Sequence, residues 1–195
     1  MRNRHIALAL LSVFAYQAAA QPLPQDCSSE SQAIVRAGVD AGDKKSQYVL
    51  GSQLSSAKCG KKDPKAGFEL LGKSAGQGYA PSLHLVGVIY RREGRIADAV
   101  PFFFGAAKQG FRLAEVDLGF AHGAKSSPVQ NDPVAYAWFS LAFVHEQKPE
   151  LRNFLENQLV TIYSRMSDAD RVKADELKTR MLSDFGDLPR FNDDP

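Results

Sequence analysis

The chain has 195 residues, enough for one domain with a sizeable core or for a short array of repeats. It is 44% hydrophobic, 24% charged and 10% aromatic, which excludes a wholly disordered chain and a multi-span membrane protein. The formal charge of +2 comes from Arg2 and Arg4; the rest carries 22 basic and 22 acidic side chains, and a neutral body offers no electrostatic footprint for nucleic acid or anionic lipid.

Arg2, Arg4 and His5 precede an apolar run from Ile6 to Tyr16, and Ala18-Ala19-Ala20 follows. A positive start, an apolar stretch of about eleven residues and an A-x-A exit are the parts of a secretory signal peptide. The run is too short to cross a bilayer, which takes ~20 apolar residues. Residues 1–20 are therefore expected to be cleaved after Ala20. The mature chain is expected to be soluble, periplasmic or secreted, with no membrane insertion once the signal is removed. Pro22 and Pro24 favour an extended segment over residues 21–30.

Cys27 and Cys59 are the only cysteines. An even count in an oxidising compartment argues for one structural disulfide between them. A metal pair or a reactive thiol is the alternative. Against these, two cysteines 32 residues apart lack zinc-ligand spacing, and neither has a neighbouring histidine.

From here the chain repeats. Gly42 and Gly51, Gly78 and Gly87, and Gly110 and Gly119 form three pairs, each nine residues apart, recurring after 36 and then 32 residues. Ala75-Gly76-Gln77-Gly78-Tyr79 answers to Ala107-Lys108-Gln109-Gly110-Phe111, and Leu70-Leu71 answers to Phe102-Phe103. Trp138-Phe139 follows another 36 residues on, where Glu146 replaces the turn glycine. A degenerate last unit is usual in such arrays.

Each unit reads as two helices. Asp63-Pro64 and Asp132-Pro133 open first helices, because Asp accepts hydrogen bonds from free amides at an N-cap and Pro fits the first helical position. Gly42, Gly78 and Gly110 end first helices, because glycine adopts the left-handed C-terminal conformation at little cost. Leu83, Val86 and Tyr90 recur at helical steps in one second helix, and Leu113, Val116 and Phe120 do so in the next, each giving one apolar face. Gly51, Gly87 and Gly119 fall inside second helices, where each costs ~1 kcal/mol relative to Ala. The same cost at the same phase three times predicts close helix-to-helix approach. Gly78, Gly87, Gly110 and Gly119 thus define the repeat.

The phrases A-x-Q-G (Ala75 to Gly78), L-x-G-x-x-Y (Leu85 to Tyr90) and D-P-x-A-Y-A-W-F (Asp132 to Phe139) resemble the Sel-one-like repeat (SLR) family, kin of tetratricopeptide repeats. The likeness covers residues 31–147 and is best in the central unit. Asp40-Ala41-Gly42-Asp43 departs from the charged-Gln-Gly turn the family favours. The resemblance implies an all-α fold, a right-handed solenoid of stacked antiparallel helix pairs whose first helices line a concave side.

Leu151, Phe154, Leu155, Leu159 and Ile162 give Glu150 to Arg165 an amphipathic helical phase. Ser167 and Asp170 form an acidic capping box ahead of a final helix, Ala169 to Leu182. Helix pairs cannot bury their apolar faces alone, so residues 148–183 are expected to cap the array. Residues 184–195 read as a disordered acidic tail.

Three motif matches fail on context. Gly67 to Ser74 fits the P-loop expression G-x-x-x-x-G-K-[ST]. A P-loop, however, follows a strand and uses small residues so that backbone amides wrap phosphate; here the interior is Phe68, Glu69, Leu70 and Leu71. Gly72 to Gly76 fits the nucleophile elbow, but Ser74 falls in a repeat helix and Ala106 takes its place one unit on. Ser55-Ser56-Ala57-Lys58 fits S-x-x-K without the S-D-N or K-T-G that accompanies it in penicillin-recognising enzymes.

His84, His122 and His145 form no metal-ligand spacing and read as surface or part-buried residues. Trp138, Phe139 and Phe143 read as core, with a peptide-binding stripe as the alternative. Phe102, Phe103 and Phe104 are consecutive, so at least one points away from the main seam. Arg91, Arg92, Glu93 and Arg95 read as a solvated loop.

No catalytic, cofactor-binding or metal-ligating set is assigned, and no cofactor. The expectation is an exported scaffold that binds a protein or peptide in the cell envelope, with no nucleic acid partner. The alternative is a weak cell-wall or β-lactam hydrolase centred on Ser55 and Lys58, since some secreted cysteine-rich SLR proteins are associated with β-lactam binding.

Overall fold

The computed structural model describes residues 23–191 except 25 and 61. The expected signal peptide over residues 1–20 lies outside the described residues, as do residues 192–195. Nine helices follow one another, with no strand among the described residues: α1 (Ser29–Asp40), α2 (Lys44–Ser56), α3 (Pro64–Gly76), α4 (Ala80–Arg92), α5 (Ile96–Ala107), α6 (Arg112–Gly123), α7 (Asp132–His145), α8 (Pro149–Ser164) and α9 (Asp168–Phe185).

Local chemistry sets the helix starts. The side chains of Ser28, Asp43 and Asp63 accept from the amides of Ser31, Ser46 and Ala66 at 3.2, 2.7 and 3.0 Å. Ser167 caps α9 by accepting from the Asp170 amide. The α7 cap is not Asp132 but Asn131, which accepts from the Val134 amide at 3.2 Å. Asp132 instead accepts from Arg165 across the array. The turns at Gly42, Gly78 and Gly110 have φ of 78°, 75° and 78°, the left-handed region where a side chain is strained.

Eight helices stack as four antiparallel-type pairs, α1–α2, α3–α4, α5–α6 and α7–α8, into an α-solenoid. Each of the first three second helices packs most extensively on the first helix of the following pair. A Cβ on Gly87 would lie 2.7 Å from the Phe103 ring, and one on Gly119 2.6 Å from the Phe139 ring. At Gly51 it would meet Leu71 at 2.9 Å. Leu71, Phe103 and Phe139 hold one repeat phase, and all three are fully buried. The missing side chains let a large residue of the next pair reach the helix backbone.

The α6 face differs from the expected one. Leu113 is 61% exposed and Phe120 is 38% exposed, while Ala114, Leu118 and Ala121 are buried. The face that meets the neighbouring helices carries Ala114, Leu118 and Ala121, which leaves Leu113 outside and Phe120 at the margin, edge-on to Phe139.

Polar bonds of about one repeat in span tie the pairs together. The Ser74 hydroxyl donates to the Lys44 carbonyl at 2.6 Å, and Gln77 Nε2 donates to Gln47 Oε1 at 2.9 Å. Asp117 accepts from Arg91 at 2.6 Å and lies 2.8 Å from His84 Nε2. Arg91, expected in a solvated loop, is therefore held by the next unit.

The C-terminal helices depart from the stacking rule. α8 is the second helix of the fourth pair. α9 then packs mainly along α7 instead of following α8 as the next first helix. Phe185 of α9 stacks on Trp138, with ring centroids 6.3 Å apart. Ala174 is fully buried in the cluster of Ala135, Phe139, Leu155 and Ile162. The chain beyond Phe185, expected as a loose tail from residue 184, returns across the array as far as Phe191.

None of the described helices is long and apolar enough to cross a membrane.

Candidate functional site

Cys27 and Cys59 are disulfide-bonded, with Cα atoms 5.1 Å apart. The bond ties the chain ahead of α1 to the end of α2. The motif residues lie in helices. Gly67 to Ser74 runs inside α3, and the Ser74 hydroxyl is buried between the Lys44 carbonyl and the Ser82 hydroxyl. Ser55 donates its hydroxyl to the Gly51 carbonyl at 2.8 Å. It also stands 2.4 Å from where a Cβ on Gly67 would lie, so it is wedged between α2 and α3. The helix ends at Ser56, short of Lys58.

The aromatic candidates are largely internal. Trp138 and Phe139 are buried, and the Arg152 guanidinium covers Phe143. Of the three consecutive phenylalanines, Phe103 is fully buried and Phe104 is 40% exposed, edge-on to Trp138. A cleft of about 490 Å³ opens between the start of α7 and α9. Two of its carboxylates are engaged: Asp132 with Arg165, Asp170 with Lys173.

A more specific arrangement lies along the turns that join first to second helices. Tyr79 and Phe111 each follow a turn glycine and occupy the same place in consecutive units. Phe191 sits between them, with ring centroids 5.9 Å from Tyr79 and 6.0 Å from Phe111, both edge-to-face. The Phe191 amide donates to the Gly110 carbonyl at 3.3 Å. The Pro189 carbonyl oxygen stands 2.2 Å from where a Cβ on Gly110 would be. Gly110 is thus required twice, by its φ and by the backbone resting on it.

Two side chains hold the same segment by its carbonyls. Arg112 donates to the Leu188 carbonyl at 2.5 Å, and His145 Nε2 donates to the Gly186 carbonyl at 2.9 Å. Both are anchored by Glu115, which is fully buried. Glu115 accepts from Arg112 at 2.9 Å and lies 3.0 Å from His145 Nδ1. A buried carboxylate is tolerable only with such partners, so its presence locks both donors in place. Arg112 and Glu115 are on α6 and His145 is on α7, so the donors are built by the array itself.

The sequence shows Arg112, Glu115 and His145 without marking them. The available signal is Glu115, an acid at a helix position between the apolar Ala114 and Val116. Nothing in the linear pattern connects it to His145, 30 residues on.

Comparison with solved structures places the architecture. A Sel1 repeat protein from Oxalobacter formigenes superposes with a TM-score of 0.57 at 17% identity, covering 77% of this chain and 64% of that one. The chain has the Sel1-like repeat fold. It spans less than two thirds of that protein's length. Two further structures match with TM-scores of 0.44 and 0.35. The first is a protective antigen of uropathogenic Escherichia coli strains displaying an SLR fold (17% identity, 80% of this chain, 41% of that one). The second is an immunity protein from Pseudomonas aeruginosa (16% identity, 93% of this chain, 87% of that one). No family model and no curated protein matches the chain. In the SLR frame, the Tyr79–Phe111 site lies on the edge formed by the intra-unit turns.

Proposed function

We propose that this chain is an exported repeat scaffold that binds a protein or peptide partner in the cell envelope and performs no catalysis. One observation carries the reading: the turn edge already holds the chain after α9 through the Leu188 carbonyl, the Phe191 amide and the Phe191 ring. An array that grips residues 188–191 of its own chain this way has the chemistry to grip another. Stacked helix pairs present extended surfaces suited to such partners.

Export is supported by the basic, apolar and A-x-A order of residues 2–20 and by the disulfide. Fractionation with intact mass tests it: the exported chain starts at Gln21 and weighs two hydrogens less than its reduced form. Retention of the leader in a cytoplasmic chain overturns it.

The scaffold reading is tested by pull-down from a periplasmic extract, followed by reconstitution of a defined complex from purified components. Repeated failure to retain and reconstitute any partner overturns it. A chromogenic β-lactam assay tests the absence of catalysis. Turnover that disappears in Ser55→Ala would make the chain a hydrolase.

A further inference from the structure

The segment after α9 has two properties that rarely coincide. It is held tightly, yet almost nothing that holds it reads its sequence. The carbonyls of Gly186 and Leu188 and the amide of Phe191 supply the hydrogen bonds. Only the Phe191 ring enters a place shaped for a side chain. Gly186 is the right-handed cap of α9 and residues 186–187 form its closing turn, so the His145 bond belongs to the helix end. From Leu188 on, any segment of like backbone can supply the carbonyl and the amide, and any aromatic residue at the right spacing can fill the gap between Tyr79 and Phe111.

The receiving side has supports besides the segment. Arg112 and His145 are fixed from below by Glu115, Tyr79 packs edge-on to Tyr48, and Phe111 packs on His84. If residues 188–191 left, the anchored Arg112 donor would face outward beside an aromatic gap. Donors held in place beforehand lower the ordering cost of whatever binds next.

We propose that this edge is a recognition site for an extended peptide segment of a partner protein that bears an aromatic side chain, and that residues 188–191 occupy it in cis as a displaceable strap. The inference rests on the scaffold reading and names where and what the scaffold binds. A strap joined directly to α9 acts at an effective concentration on the order of millimolar, so a partner segment must outcompete it or meet it released.

The test uses the full exported chain, native and as Phe191→Ala, with a capped peptide Gly-Asp-Leu-Pro-Arg-Phe as the probe. Binding is read from the amide resonances of Gly110, Phe111 and Arg112. The expected result is saturable shifts in Phe191→Ala, with affinity at least about tenfold above that of the native chain, whose own strap competes. Adding Phe111→Ala to Phe191→Ala, with helical content checked by circular dichroism, is expected to abolish the shifts. A probe peptide with Ala in place of Phe is expected to give none.

Absence of shifts in a folded Phe191→Ala chain overturns the proposal and makes the segment a permanent staple. Equal affinity in native and variant chains also overturns it, because the peptide would then bind elsewhere. A concentration-dependent dimer lost in Phe191→Ala overturns it in favour of strap exchange between copies. If the peptide fails while the native chain still reconstitutes a partner complex, the scaffold reading stands and only this site falls.

Discussion

Gly87 of α4 and Phe103 of α5 form one contact in which the ring occupies the space a glycine side chain would need, 2.7 Å from an added Cβ. Helix propensity and packing oppose each other here. Gly87→Ala gains ~1 kcal/mol of propensity but forces the ring aside, and overpacking costs ~1–3 kcal/mol. Phe103 is fully buried, so packing is expected to win and urea unfolding to show net destabilisation. Gly87→Ala with Phe103→Leu is expected to recover part of the loss. Gly72, exposed on α3 with nothing within 4 Å of an added Cβ, is the control: Gly72→Ala is expected to stabilise by up to ~1 kcal/mol. Equal effects at both positions would remove the close-approach explanation.

Glu115 offers a sharper energetic test. Its side chain is 1% exposed and it holds Arg112 and His145. Removing one partner of a buried ionic set costs ~3–5 kcal/mol, because the remaining charge stays uncompensated. Glu115→Ala is expected to reach that range in chemical denaturation and to free the strap. Asp98→Ala, which breaks the half-exposed Arg95–Asp98 pair, is expected to cost under ~1 kcal/mol.

The disulfide closes a sequence separation of 32 residues around α1 and α2. Loop closure of that size stabilises by roughly 3–4 kcal/mol on the entropic account. Cys27→Ser with Cys59→Ser is expected to lose that amount in urea unfolding. The loss should concentrate in the first pair, because solenoid units contact only their neighbours. Uniform loss of amide protection along the chain would contradict this.

A pH effect is expected at the start of α1. Hydrogen bonds from Ser28, first its hydroxyl and then its backbone amide, hold the Asp26 carboxyl down to about 2 from its ordinary 3.8. A depressed carboxyl adds stability that is present above the unfolded value and is lost as pH falls toward the folded one. That contribution should therefore fade between about 4 and 2. Ser28→Ala is expected to raise the Asp26 midpoint measured by carboxyl-carbon NMR. It should also cost ~0.5–2 kcal/mol through the lost N-cap.

The array was legible in the chain because its signals are local or periodic. Asp63-Pro64 opens α3 through a bond three residues long, and the glycine at 78 or 110 marks a φ that other residues avoid. Gly51, Gly87 and Gly119 were legible because one packing contact recurs at one phase. The exposure of Leu113 was not, because hydrophobicity alone does not say which of two faces approaches a neighbour more closely. Asp132 misled for a similar reason: Asn131 caps just as well, and Arg165, 33 residues away, claims the carboxylate.

Sequence by itself determined the repeat, its turns and the helical class, since each follows from backbone preference or from spacing along one chain, and it pointed to the cysteine pair through an even count in an oxidising compartment. Tertiary structure alone decided that α9 lies on α7, that Glu115 draws Arg112 and His145 together, and that Phe191 sits between Tyr79 and Phe111. Apart from the local Arg112–Glu115 pair, those contacts join residues 30 to 112 positions apart. Their energy comes from burial and from hydrogen bonds that exist only once the pairs have stacked, and no local pattern in the chain encodes it.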